Sequence, residues 1–178
     1  MDSKDVYAMM IYQIGAVRAF TDLYSISLQH VKPHGALNNM AAMDRELALV
    51  IAQSIYDYDK NLILLAVAGT ELAKAGDQVG LRVAQEVFAD RTYEPNGTLR
   101  NRKYPDALIR DPQESARRIL RMVADHVIEA VDGSLIPVQA DSICLHGDGV
   151  TAVKLAETLR QELIDHGIEL CTLTETIV

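Results

Sequence analysis

The sequence predicts an α/β fold, a partial β/α barrel in which parallel strands alternate with helices. Three observations predict it. Short apolar runs alternate along the chain with amphipathic stretches of helical period. One run, Asn61–Ala68 (NLILLAVA), is continuously apolar, as expected of a strand covered on both faces of a parallel sheet. Three runs end in titratable residues, at the edge where open α/β sheets and β/α barrels place their chemistry. The alternation implies parallel pairing and right-handed crossovers. Only four strands are read, whereas a closed eight-stranded barrel typically takes about 250 residues. The 178-residue chain is therefore read as one domain over 1–178, either a small open sheet or part of a barrel.

Residues 3–25 read as a helix capped by Ser3, with Val6, Met9, Met10, Gln13, Ile14 and Val17 at helical spacing. Ser27–Val31 follows as a strand ended by Pro33. Asp44 is a good N-cap for a helix reaching about Tyr58, with Leu47, Val50, Ile51 and Ile55 on one face. After the apolar strand 61–68, Gly69-Thr70 leads into a short helix, Glu71–Gln78. Val83–Phe88 is the third strand. The segment 90–111 is long, polar and turn-rich, with Pro95-Asn96-Gly97 in it, and reads as a functional loop or lid. Asp111-Pro112 opens a helix expected to run to about Val131, with proline at its favoured first position. Asp141–Leu145 is the fourth strand, His146-Gly147-Asp148-Gly149 its terminal turn, and Val150–Asp165 the last helix, stopped by Gly167.

Composition narrows the partners. A net charge of −8 excludes a basic nucleic-acid-binding face and leaves a small molecule or another protein. No apolar run is long enough to span a membrane. No signal peptide is read, because Asp2, Lys4 and Asp5 precede any apolar run. Two cysteines, Cys144 and Cys171, are too few for a disulfide scaffold and fit no zinc spacing, so a reducing cytoplasm is expected.

The strand ends carry the candidate site. His30, Lys32 and His34 crowd into five residues, suited to acid–base work, metal ligation or polar-substrate binding. Histidines satisfied within a loop are the plainer alternative. Glu86 lies inside an apolar strand, where a carboxylate is costly unless paired. Its partner could be a substrate amine, a metal or Lys32, or Arg82 or Arg91 in a structural salt bridge. Asp90 and Arg91 follow at the end of that strand. His146 and Asp148 occupy a glycine-rich strand-to-helix turn whose backbone could receive an anion. Cys144 reads as a small core hydrophobe. Arg100, Arg102 and Lys103 could attract an anion but read more simply as a solvated loop. Donors for a divalent metal are present, without a tight signature such as HExxH.

Five blocks together resemble the LamB/YcsF family: VYAMMIYQIGAVRAF at 6–20, LQHVKPHGAL at 28–37, LAVAGTELA at 65–73, AQEVFADRTYEPNGTLRNR at 84–102 and DSICLHGDG at 141–149. The resemblance implies a distorted β/α barrel similar to polysaccharide deacetylases. It implies ATP-dependent opening of the 5-oxoproline lactam to glutamate, together with partner subunits B and C. ATP would phosphorylate the lactam oxygen and so make the ring carbon electrophilic. Family motifs map onto His30, Lys32, His34, Glu86, Asp90, Arg91, His146 and Asp148. The expected roles are proton transfer by His30, His34 or Glu86, charge stabilisation by Lys32 and Arg91, and substrate binding by Asp90, Arg91, His146 and Asp148.

The chain departs from the family at its start. Members usually begin with a strand bearing an Asp-Leu-Asn-Cys-Asp-type motif, followed by Cys-Gly-Phe-His-Ala-Gly-Asp-like and Gly-Ala-His-Pro-Gly-like blocks, and none of these occurs here. Asn38 also replaces the usual tyrosine. The expectation is that the family's N-terminal portion is missing. Two rival readings accompany the main one. The first is a metal-dependent amidohydrolase or deacetylase that needs no ATP, consistent with the lack of a Walker-type loop. The second is a truncated, non-catalytic member that completes its barrel by association, including homo-oligomerisation.

Overall fold

The computed structural model describes residues 2–177, which divide into two compact units. The first runs to Ala84 and takes in Ile177; the second is Gln85–Thr176. Parallel strands alternate with helices, as the sequence predicts. Among the described residues no helix is long and apolar enough to cross a membrane.

In the first unit, helix α1 (Ser3–Leu23) is capped by Asp2, whose carboxylate accepts from the Lys4 N–H. The cap thus lies one residue before Ser3, because Asp2 has the extended backbone that a cap needs. Val6, Met10 and Ile14 form its buried stripe, while Val17 is exposed. Strand β1 (His30–Val31) lies parallel to β2 (Ile63–Val67), with His30 opposite Ile63 and Val31 opposite Leu64. All five β2 residues are buried. Between these strands come α2 (Gly35–Ala41) and α3 (Arg45–Tyr58), and α1 packs on α3. Asp44 caps α3 as expected, accepting from the Leu47 N–H at 3.1 Å. The helix α2 was not expected, because GALNNMA is too short to show a helical period.

The last helix of this unit, α4 (Glu71–Val79), ends at Gly80, whose φ of 86° is the left-handed conformation that stops helices. It leads into β3 (Arg82–Phe88), whose first residues belong to this unit and whose remainder belongs to the second. Ile51, Ile55, Leu62, Leu64 and Leu72 anchor the core of the first unit.

The second unit continues with α5 (Pro112–Ala124), β4 (Val127–Glu129), β5 (Leu135–Pro137), β6 (Ser142–Cys144), α6 (Ala152–Asp165) and α7 (Leu173–Thr176). Strand β3 pairs in parallel with β6: Glu86 faces Ser142, Val87 faces Ile143 and Phe88 faces Cys144. Helices α5 and α6 pack together. Asp111 caps α5 with proline in the first turn, as expected.

The expected extension of that helix to Val131 is wrong. It stops at Ala124, and His126 takes a left-handed φ of 57°. Residues 127–137 instead form an antiparallel hairpin of β4 and β5. Its turn is built by Asp132, which accepts from the Ser134 N–H and hydroxyl, and by Gly133 at φ 85°. Arg118 donates to the Glu129 carbonyl at 2.7 Å and Arg121 pairs with the Glu129 carboxylate, fastening the hairpin to α5. The Asp-Gly pair was the available turn signal.

Close packing of α4 depends on one glycine. A Cβ at Gly76 would lie 2.6 Å from Val83 Cγ2 and 2.7 Å from Leu64 Cδ2. Leu64 is fully buried, so its methyl has no free space to enter. Alanine would gain up to about 1 kcal/mol in helix propensity. Overpacking typically costs about 1–3 kcal/mol. We expect Gly76→Ala to be net destabilising by about 1–2 kcal/mol, as read by the midpoint of urea unfolding; an unchanged or higher midpoint would show that α4 is not so tightly seated.

Candidate active site

Parallel register builds the site in the second unit. The last paired residues are Phe88 and Cys144, and the Ala89 N–H still donates to the Cys144 carbonyl at 2.9 Å. Asp90 and His146 each lie two residues beyond that pair. They therefore leave the sheet at one level and meet. His146 Nδ1 is 2.8 Å from Asp90 Oδ2 and 3.0 Å from Oδ1. The Phe88 ring stacks on the imidazole at 5.8 Å between centroids, inclined by 27°. At the other end of β6, the Asp141 carboxylate accepts from the Gln85 N–H while the Asp141 N–H donates to the Gln85 carbonyl, pinning the register.

Three buried side chains hold the turn after β3. Ser115, on the first turn of α5, donates its hydroxyl to the Ala89 carbonyl at 2.6 Å. The Tyr93 hydroxyl accepts from the Phe88 N–H at 2.8 Å, and burial pushes its ionisation upward, which keeps it a neutral acceptor. The Arg91 guanidinium donates to the carbonyls of Ala107 (3.4 Å) and Arg100 (2.5 Å). Burial, with Arg102 nearby, lowers the Arg91 pKa.

The long loop is consequently a folded flap. Antiparallel bridges join Arg91 to Leu108 and Tyr93 to Leu99. Arg100 pairs with Glu94 at 3.0 Å and Asp106 at 2.7 Å and covers the Tyr104 ring at 4.3 Å. That pairing draws the Asp106 carboxyl below its usual range.

Asp90 and His146 line a cavity of about 350 Å³ together with Arg102, Arg110, Asp148 and Leu155. Arg102, which lines the cavity, is 3.9 Å from Asp148. Among the described residues Arg110 has no ion-pair partner. Two carboxylates, an imidazole and two guanidinium groups thus line one cavity, able to receive a hydrogen-bonding molecule that carries a negative charge for the arginines.

Three of the residues expected from the sequence, Asp90, His146 and Asp148, meet at this cavity, and Arg91 holds its flap. Glu86 is buried within β3, 3% exposed, opposite Ser142. His30, Lys32 and His34 belong to the first unit. His30 Nδ1 lies 3.2 Å from Gln29 Oε1, Lys32 is half-buried, and His34 is the exposed N-cap residue of α2. Arg82, one partner considered for Glu86, donates to the Asn61 carbonyl at 2.5 Å. Arg110 was missed, and its only sequence signal was its place at the loop's return to α5. Arg102, read as solvated, lines the cavity. Among the described residues no three His, Cys, Asp or Glu side chains gather as a metal-binding group.

The LamB/YcsF family pattern matches residues 1–178. The chain is 51% identical over 167 residues to a protein of Oceanobacillus iheyensis named as the A subunit of 5-oxoprolinase, covering 94% of this chain and 65% of that relative. It is 42% identical over 172 residues to the protein of the same name in Bacillus subtilis, covering 97% of this chain and 67% of the relative. The crystal structure of a lactam utilization protein from Thermus thermophilus superposes with a TM-score of 0.85 at 40% identity, over 96% of this chain and 68% of the other. The chain thus spans about two thirds of the length of the relatives it matches.

The hold on the turn is testable. Tyr93→Phe removes the hydroxyl that accepts from the Phe88 N–H, a loss of about 1 kcal/mol for one hydrogen bond. The measurement is a urea-unfolding midpoint, together with amide exchange at Phe88; unchanged exchange there would remove Tyr93 from the support of the site.

Proposed function

The chain belongs to the LamB/YcsF family, and from that premise we propose that it opens the 5-oxoproline lactam to glutamate, with ATP and the partner subunits B and C. The name carried by its relatives, which makes each of them the A subunit of a 5-oxoprolinase, supports both the lactam substrate and the existence of partner subunits. The single structural observation that carries the reading is the cavity shared by the Asp90–His146 pair, Arg102 and Arg110. A lactam of this kind presents a carboxylate for the arginines and an amide for hydrogen-bonding groups. About 350 Å³ is room for a small ring, at the lower end of ligand pockets.

Ring opening needs a nucleophilic water, a polarised carbonyl and a proton for the departing nitrogen. ATP supplies carbonyl activation by phosphorylating the lactam oxygen. His30, His34 and Glu86 are the sequence-derived candidates for proton transfer. Lys32 and Arg91 are the sequence-derived candidates for stabilising developing negative charge, and Asp90, Arg91, His146 and Asp148 those for contacting the substrate.

The test is glutamate formation from 5-oxoproline by this chain mixed with partner subunits. The expected result is turnover that requires ATP and the partners; a fall of about 10²-fold or more in His34→Ala is the result that proton transfer by His34 requires. Full activity in His34→Ala would refute that assignment. Lactam hydrolysis without ATP would point instead to an amidohydrolase.

A further inference from the structure

We infer that His146 is the residue that moves the proton in ring opening, and that Asp90 is its positioning residue. This inference rests on the lactam reading of the same cavity; it replaces the substrate-contact role given to both residues there and assigns to His146 the proton transfer for which His30, His34 and Glu86 were the sequence-derived candidates.

The geometry separates the two ring nitrogens. Nδ1 lies within 3.0 Å of both Asp90 oxygens, so it is the nitrogen that carries a proton toward the carboxylate. In the neutral ring Nε2 then holds the lone pair. That nitrogen is left for the cavity, whose wall His146 forms. The stacked Phe88 ring limits rotation of the imidazole. Both members are partly accessible, with the Asp90 side chain 16% and the His146 side chain 31% exposed. A pair serving stability alone gains nothing from standing in a cavity wall. The ionisable neighbours are Arg102, Arg110 and Asp148 around the cavity, with Arg91 and Cys144 on the adjoining strand ends.

The chemistry balances. As the water oxygen bonds to the ring carbonyl carbon, its proton passes to His146 Nε2. Asp90 stabilises the resulting imidazolium. When the carbon–nitrogen bond breaks, its electron pair goes to the ring nitrogen, which takes the proton back from Nε2. Because ATP has placed a phosphoryl group on the ring oxygen, the carbon leaves this step as an acyl phosphate, the new hydroxyl proton passing to the freed amine. A second water then releases phosphate, so that one lactam, one ATP and two waters give glutamate, ADP and phosphate, and His146 returns to its starting state.

The experiment has a spectroscopic and a kinetic arm. Nitrogen-correlated NMR of the histidine rings in this chain should show His146 with its proton on Nδ1, and added 5-oxoproline should shift Nε2. With the partner subunits and ATP, Asp90→Asn should lower kcat by about 10²-fold or more while leaving KM nearly unchanged. His146→Ala should lose turnover and recover part of it with added imidazole, which a structural defect would not permit. A proton resident on Nε2 in the unliganded chain overturns the inference. So does a higher KM at unchanged kcat in Asp90→Asn, or a His146→Ala chain as active as the wild type. A wild-type mixture that forms no glutamate refutes the lactam reading instead; the ring spectrum then decides the dyad.

Discussion

The parallel register between β3 and β6 governs the second unit. With Phe88 opposite Cys144, the two strands leave the sheet together, and residues two positions further on fall side by side. Side chains alternate faces along a strand, so a slip of one residue would put one partner on the wrong face. The reciprocal bonds of Gln85 and Asp141 at one end and the Ala89–Cys144 bond at the other prevent that slip. The Asp90–His146 contact is thus a consequence of backbone pairing. The two side chains did not have to find each other through a flexible loop.

Around that frame, buried side chains satisfy the backbone groups of the turn and flap. Ser115 answers the Ala89 carbonyl, Tyr93 answers the Phe88 amide, and Arg91 answers two carbonyls of the flap. Each bond contributes about 1 kcal/mol net, yet leaving one buried partner unmatched costs more than making the bond gains. The turn that carries Asp90 is therefore held from the helix side, the strand side and the flap side.

The sequence revealed the parts where local chemistry decides the outcome. The four parallel strands were legible as apolar runs, the N-caps Asp44 and Asp111 as residue types, and Asp90, His146 and Asp148 as polar strand ends. What lay beyond reach depends on distance along the chain. Asp90 and His146 are 56 positions apart, and no local pattern states the register that joins them. The β4–β5 hairpin was misread because Val127–Val131 continues a helical spacing, while the left-handed backbone at His126 is a tertiary choice at a non-glycine residue. Arg110 gave almost no signal, since a single exposed arginine resembles any solvated one.

The flap's construction has a practical consequence. Arg91, Arg100 and the two antiparallel bridges anchor it below the tip. Its tip, Pro95-Asn96-Gly97, is closed by its own bonds, with Asn96 Oδ1 accepting from the Thr98 amide and hydroxyl. A fluorophore or short tag at position 95, which leaves the Asn96 acceptor in place, would sit on an arm outside the cavity, making the tip a natural vantage point for watching molecules arrive without touching the residues that receive them.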